Sequence, residues 1–251
     1  MFGWAGVVSA ERRVQLWGRV VAHADGGQVA VEHVVAVLLS AAGVDAAAVA
    51  VVLDASPRET IYASDRVASE VEELALTLGE GPSVDALAGG LELVADLAEA
   101  DCLARWPVFA PAAARAGVRA VFALPLRIGG IRIGVLDLYR ARPGGLDREQ
   151  LANVLVLADT MGALLLDEAG GDRLRPDGSW PEHAGTQHPA VHQATGMVIV
   201  QLGVTAAVAL VRLRAYAYAH DRRLREVARD VVARRLRFDP DVGGDDDRGG
   251  R

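Results

Sequence analysis

Between Phe122 and Tyr139 the chain alternates twice. Phe122, Leu124, Leu126 and Ile128 take one side of an extended strand. Gly129-Gly130 supplies a two-residue turn, and Ile131, Ile133 and Val135 resume the alternation. So short a link permits only antiparallel pairing, because a parallel pair needs a crossover of about a dozen residues. Further strands are expected at residues 49–54 and 60–64, joined at Ser56-Pro57-Arg58, and at 91–97. Helical spacing covers residues 9–24, 31–42, 67–78, 106–115 and 146–167, with a short helix at 83–87. The order of these elements is α+β: an antiparallel sheet flanked by helices, not regular βαβ units.

Residues 170–187 are rich in Gly, Pro, Asp and Ser and read as a linker. Beyond them the pattern becomes all-α. Residues 188–238 predict three helices. The first opens at His188-Pro189 and carries Val191, Ala194, Val198 and Leu202. Gly203 stops it, and Thr205 stands where an N-cap belongs before Leu210, Leu213 and Ala217. The third helix places Leu224, Val227, Ala228, Val231 and Val232 on one seam, with Arg222, Arg225 and Arg229 opposite. Gly196 costs about 1 kcal/mol relative to Ala inside a helix, and close packing against a neighbouring helix is its expected use.

Charge separates the two parts. Residues 188–238 hold nine Arg against three acids, 9 − 3 = +6, on a chain of net charge −7, so the remainder sums to −13. A basic module on an acidic protein fits a polyanionic partner. A solvated charged face is the alternative reading of the same arginines.

The C-terminal segment closely resembles an ANTAR domain, the three-helix output module of bacterial transcription antiterminators. Ala194-x-Gly196-Met197, Gly203-Val204-Thr205, Ala209, the run from Leu213 to Ala217, Leu224, Val227-Ala228 and Val231-Val232 carry the resemblance. Many members have Lys where this chain has Thr195. The region from about residue 30 to 167 resembles a GAF domain, a sensor built on an antiparallel sheet. Gly79-Glu80-Gly81-Pro82, Arg105-Trp106-Pro107, Gly117-Val118-Arg119, Leu124-Pro125-Leu126 and Ile133-Gly134-Val135-Leu136 carry it.

The expected organisation is therefore an N-terminal helix (1–29), a GAF-like sensor (30–168), a linker (169–187), a three-helix ANTAR bundle (188–238) and an acidic, disordered tail (239–251). The resemblance implies an actinobacterial antitermination regulator that binds hairpins in nascent RNA through Gln193, Thr195, Arg214, Arg222, Arg225 and Arg229. Unstacked loop bases and phosphates suit Arg and Tyr. The long helix at 146–167 predicts a homodimer through an apolar side wide enough to meet its own copy. The competing reading is a ligand-sensing or protein-interaction GAF module whose helical bundle serves dimerisation.

The residues exclude several sensor chemistries. No His lies between Val49 and Asp167 to ligate haem, and no His/Cys spacing fits a metal. All 26 basic side chains are Arg. The absence of Lys removes Schiff-base and P-loop mechanisms, the cyclic-nucleotide signature of GAF domains and a receiver-type phosphorelay. Cys102 is the single thiol, too few for an internal disulfide, and Asp101 beside it disfavours thiolate. Neither a nucleophile elbow nor a dinucleotide fingerprint is present, so no enzyme, catalytic residue or cofactor is expected. No consecutive apolar run reaches the roughly 18 residues of a membrane span, and the N-terminus lacks the basic start of a signal peptide. A cytoplasmic protein without a membrane partner is expected. Asp137 interrupts an apolar strand and must find a partner or water. It is the candidate acid of a pocket for an unknown small-molecule ligand; a hydrogen bond to a neighbouring loop is the alternative.

Overall fold

A computed structural model of the protein describes residues 9–52, 58–170 and 189–239. The chain divides into two compact units, residues 1–187 and 188–251. Apart from residues 169, 170 and 239, the expected linker and acidic tail lie outside the described residues.

The first unit is built on one antiparallel sheet. Its strands are β1 (Ala46–Val51), β2 (Glu59–Ala63), β3 (Glu92–Val94), β4 (Ala120–Ile128) and β5 (Ile131–Arg140), in the order β2-β1-β5-β4-β3. The Gly129-Gly130 hairpin sets the β4/β5 register: Ile128 faces Ile131, Leu124 faces Leu136 and Phe122 faces Leu138. β1 runs so close to β5 that a Cβ at Gly134 would collide with the Ala50 carbonyl oxygen, so this crossing requires glycine.

One face of the sheet is covered by three helices, α1 (Ala10–His23), α2 (Val31–Ala42) and α7 (Arg148–Gly170). Val34, Val35 and Leu38 of α2 and Val154, Leu157 and Met161 of α7 bury against Ala47, Val49, Phe122, Leu136 and Leu138. Arg12 ties α1 to α7 through Asn153 and Glu149, both at 2.6 Å. The apolar face of α7 is thereby consumed by the sheet and α2, leaving only Leu166 as a large exposed apolar residue on that helix. The sheet-covering part of its expected role is thus filled, with Leu151, Leu155 and Leu164 partly buried. Residues 148–167 are also long and apolar enough in composition to cross a membrane, although charged residues interrupt every consecutive run. Here that helix packs on a sheet.

The other face carries α3 (Arg66–Leu78), α4 (Pro82–Ala88), α5 (Ala100–Arg105) and α6 (Phe109–Arg115). Asp65 caps α3, accepting the Ala68 N–H at 2.8 Å. The helix expected over 106–115 begins only at Phe109, as α6, and a further helix not expected from the sequence, α5, ends just before Trp106-Pro107. A residue before proline is driven out of the helical region, and Trp106 has φ −130° and ψ 69°. Glu80 then starts α6 by accepting the N–H groups of Val108 (2.9 Å) and Phe109 (2.6 Å).

The second unit is a three-helix bundle of α8 (Pro189–Leu202), α9 (Ala206–Ala219) and α10 (Leu224–Val232). Its core is small: Val191, Ala194, Val198, Ala209, Leu213, Ala217, Leu224, Val227, Ala228 and Val231 are fully buried. Leu202, Leu210 and Val232, also expected inside, are half-buried. Thr205 caps α9 through the Val208 N–H, as its position predicts. Gly196 departs from expectation. It is exposed, and a Cβ there would meet no atom within 4 Å, so no helix of this bundle approaches it.

Candidate functional site

Alanines 46, 48 and 50 of β1 point toward α3 and α4 and leave room beneath those helices. Polar side chains fill part of it. Asp137, paired across the sheet with Ala48 and Ala123, is completely buried. Its Oδ1 accepts from Ser83 at 2.8 Å, and its Oδ2 lies 3.5 Å from Arg58 Nη1. Arg58 Nη2 donates to Glu72 Oε2 at 2.9 Å. Glu72 also accepts from Thr60 Oγ1 (2.9 Å) and from the Tyr139 hydroxyl (2.6 Å).

This is one arginine against two buried carboxyls. Burial pushes the Asp137 carboxyl well above the usual carboxylate range, and the nearby Glu72 charge adds to the rise. Burial likewise raises the Tyr139 phenol, assisted by Glu72. Burial works against the Arg58 charge, but Glu72 and Asp137 more than compensate, so the guanidinium stays protonated. Arg58 thus stands between the Glu72 carboxylate it pairs with and the Asp137 carboxyl, whose protonated form burial favours. Arg58 Nε and Asp137 Oδ2 have no hydrogen-bond partner among the described residues. The sequence singled out Asp137 alone. Glu72 sits on an amphipathic helix and Arg58 beside a Ser-Pro turn, and nothing local marks either as buried.

Trp106 belongs to the core, with its indole N–H on Asp85 at 3.1 Å. The Cys102 thiol is half-buried and pushed up, first by burial and then by Glu99; Asp101 adds a smaller share.

In the second unit the six expected RNA residues differ in exposure and in their partners. Thr195 is buried, and its Oγ1 donates to the Val191 carbonyl at 2.7 Å, so the hydroxyl is used inside its own helix. Arg222 lies before α10, not on it, and holds Asp230 at 2.7 Å. Arg225 is half-buried with its Nε sealed from solvent, and Arg214 is half-buried and engaged. Arg229 is exposed on α10, and Gln193 is exposed on α8. Three arginines just past α10 carry more of the exposed charge: Arg234, Arg235 and Arg237. They follow the helical seam, so a search confined to helix faces passes over them.

The chain thus joins a five-stranded antiparallel sheet with helices on both faces to a separate three-helix bundle. A family model for the GAF domain matches residues 28–166, and one for the ANTAR domain matches residues 182–232. The chain belongs to the GAF domain family and carries a C-terminal ANTAR domain. GAF domains are sensors and ANTAR domains are RNA-binding antitermination output domains. No curated protein matches the chain. Among solved structures, the chain is similar to the GAF domain of a phosphoenolpyruvate-protein phosphotransferase from Coxiella burnetii, at 14% identity and a TM-score of 0.43, over 65% of this chain and 99% of that one. It is also similar to the nlh2 GAF domain from A. Aeolicus in an inactive state, at 16% identity and a TM-score of 0.38, over 62% of this chain and 93% of that one.

Proposed function

We propose that the protein is a cytoplasmic, non-enzymatic regulator whose ANTAR bundle binds hairpins in nascent RNA and whose GAF unit controls that binding. The ANTAR match on a compact bundle with a charge of +6 over residues 188–238 carries the reading. Antitermination follows when the bound hairpin excludes a terminator. The actinobacterial type remains part of this proposal, consistent with an arginine-only basic complement.

Arg229 and Arg225 are the phosphate-contact candidates on α10. Replacing both by Ala is expected to weaken hairpin binding and to flatten the dependence of log K on log salt by about one unit per lost contact. Arg229→Ala alone should leave Tm almost unchanged, within about ±0.5 kcal/mol. Arg225→Ala should cost more, because its Nε is buried. A hairpin affinity unchanged at every salt concentration would place the RNA surface elsewhere.

For assembly we propose a homodimer. With α7 covered, the exposed apolar stripe is Val14, Trp17 and Val21 on α1, spaced by three and four residues as a helix-to-helix seam requires. Light scattering of the whole chain should give twice the mass of one chain, and Trp17→Glu should return it to one. For the sensor we propose that Asp137 reads a small polar ligand, on the ground that its Oδ2 and Arg58 Nε make no hydrogen bond among the described residues.

A further inference from the structure

Two residues of the second unit break the local rules of their elements, and both border the same groove. Gly196 stands in the middle of α8, where alanine would favour the helix and where no atom within 4 Å would oppose a Cβ. Arg234 stands just past the α10 C-cap with φ 58°, in the left-handed region where glycine is the usual residue. Its own N–H closes on Val231 at 2.9 Å, and Arg235 N closes on Asp230 at 2.8 Å, so the turn itself is well made. A glycine where a side chain is preferred and a side chain where glycine is preferred are each unfavourable for folding. Violations of this kind concentrate at functional positions.

The groove between them has a volume of about 620 Å³. Its floor is the outer face of α8, with Gly196, Met197 and Val200, the last 83% exposed. Gln193 stands at one edge of that face, and Arg234 and Arg237 form the opposite wall. Arg237 makes only a long contact, 3.9 Å, to Asp239. Arg234 and Arg237 lie beyond residue 232, where the ANTAR match ends, so this wall is a feature of the chain outside the family pattern.

We infer that this groove takes an unstacked RNA base, with Arg234 and Arg237 on the adjoining phosphates. The floor is apolar and, at Gly196, low enough for a flat ring to lie on the helix backbone. Gln193 offers an amide to a base edge, and the arginine wall suits a polyanion in a segment of net charge +6. The inference rests on the RNA-binding reading above. It adds to the phosphate-contact candidates of α10 a base site on α8 and the turn after α10.

The test uses the full-length chain and a pool of RNA stem-loops with a constant stem and a fully randomised loop. Gly196→Leu fills the groove, and Arg234→Gly relieves the left-handed arginine. Each substitution is expected to raise Tm and to weaken retention of the pool about tenfold or more. A residue with only a structural role would not move stability and binding in opposite directions. Arg237→Gln should lower the salt slope by about one unit without changing Tm. If the wild-type chain retains no stem-loops, the RNA-binding reading itself fails. If wild type binds and Gly196→Leu binds equally well, the groove is not the base site. The inference is also overturned if Gly196→Leu lowers the mass in light scattering while RNA affinity holds, because the groove would then belong to a second copy of the chain.

Discussion

Glu72→Ala is expected to lower the stability of the GAF unit by about 3–5 kcal/mol, the usual cost of stranding one member of a buried ion pair. Glu72 accepts hydrogen bonds from Arg58, Thr60 and Tyr139, and its side chain is only 1% exposed. Without it the buried donors of Arg58, Thr60 and Tyr139 lose their shared acceptor, and Arg58 is left with the 3.5 Å contact to Asp137. Thermal unfolding followed by circular dichroism should show Tm falling by on the order of 10 °C. Asp137→Asn is the contrasting variant. It resembles the protonated acid in shape and charge, and Ser83 can still donate to its carbonyl, so the fold should persist. Native mass spectrometry of protein purified from cells then tests the ligand proposal. A small molecule retained by wild type and absent from Asp137→Asn supports it, and equal retention removes Asp137 from the ligand site.

The second large effect is pH-dependent. Glu59 is 2% exposed, and burial pushes its carboxyl up to about 7 from an ordinary value of 4.5. The folded state therefore binds this proton more tightly than the unfolded chain does. Stability from Glu59 is fully present below about pH 4.5 and is lost as pH rises through about 7. The span corresponds to about 3 kcal/mol. Glu59→Gln removes the titration. The variant should be more stable than wild type by up to about 3 kcal/mol at pH 8, and the difference should shrink toward zero near pH 4.5. Urea unfolding at both pH values measures this directly. A difference independent of pH would mean that Glu59 does not titrate in this range.

Much of the fold was legible because its strongest signals are local. The Gly129-Gly130 hairpin, the α2 stripe and the seam of α10 each follow from a period and a turn residue within one stretch of chain. The break at Trp106-Pro107 was also written locally, in the restriction that proline places on its predecessor, but two prolines inside an apolar period read as a tolerated helix. The buried cluster could not be read in the same way. Arg58, Glu72 and Ser83 come from separate parts of the chain and meet Asp137 and Tyr139 of β5 only in the fold; of the five, only Asp137 stands out among its neighbours in sequence. On α10, spacing kept Arg225 and Arg229 off the buried apolar seam, although Arg225 is half-buried. It could not show that Asp230 holds Arg222, or that Thr195 turns inward to its own backbone. Gly196 was noticed for its cost, but its use was assigned to the wrong side of the helix.

The enclosure of the Arg58–Glu72 pair has a practical consequence for ionic strength. Counterions cannot reach charges sealed beneath α3 and α4, so screening should barely touch the interior of the sensor. Arginines at the groove of the second unit stand in solvent, where screening acts at full strength. A salt titration therefore separates the two kinds of electrostatics within one molecule. Under the RNA-binding proposal, concentrated salt should elute RNA from the second unit while the sensor stays folded.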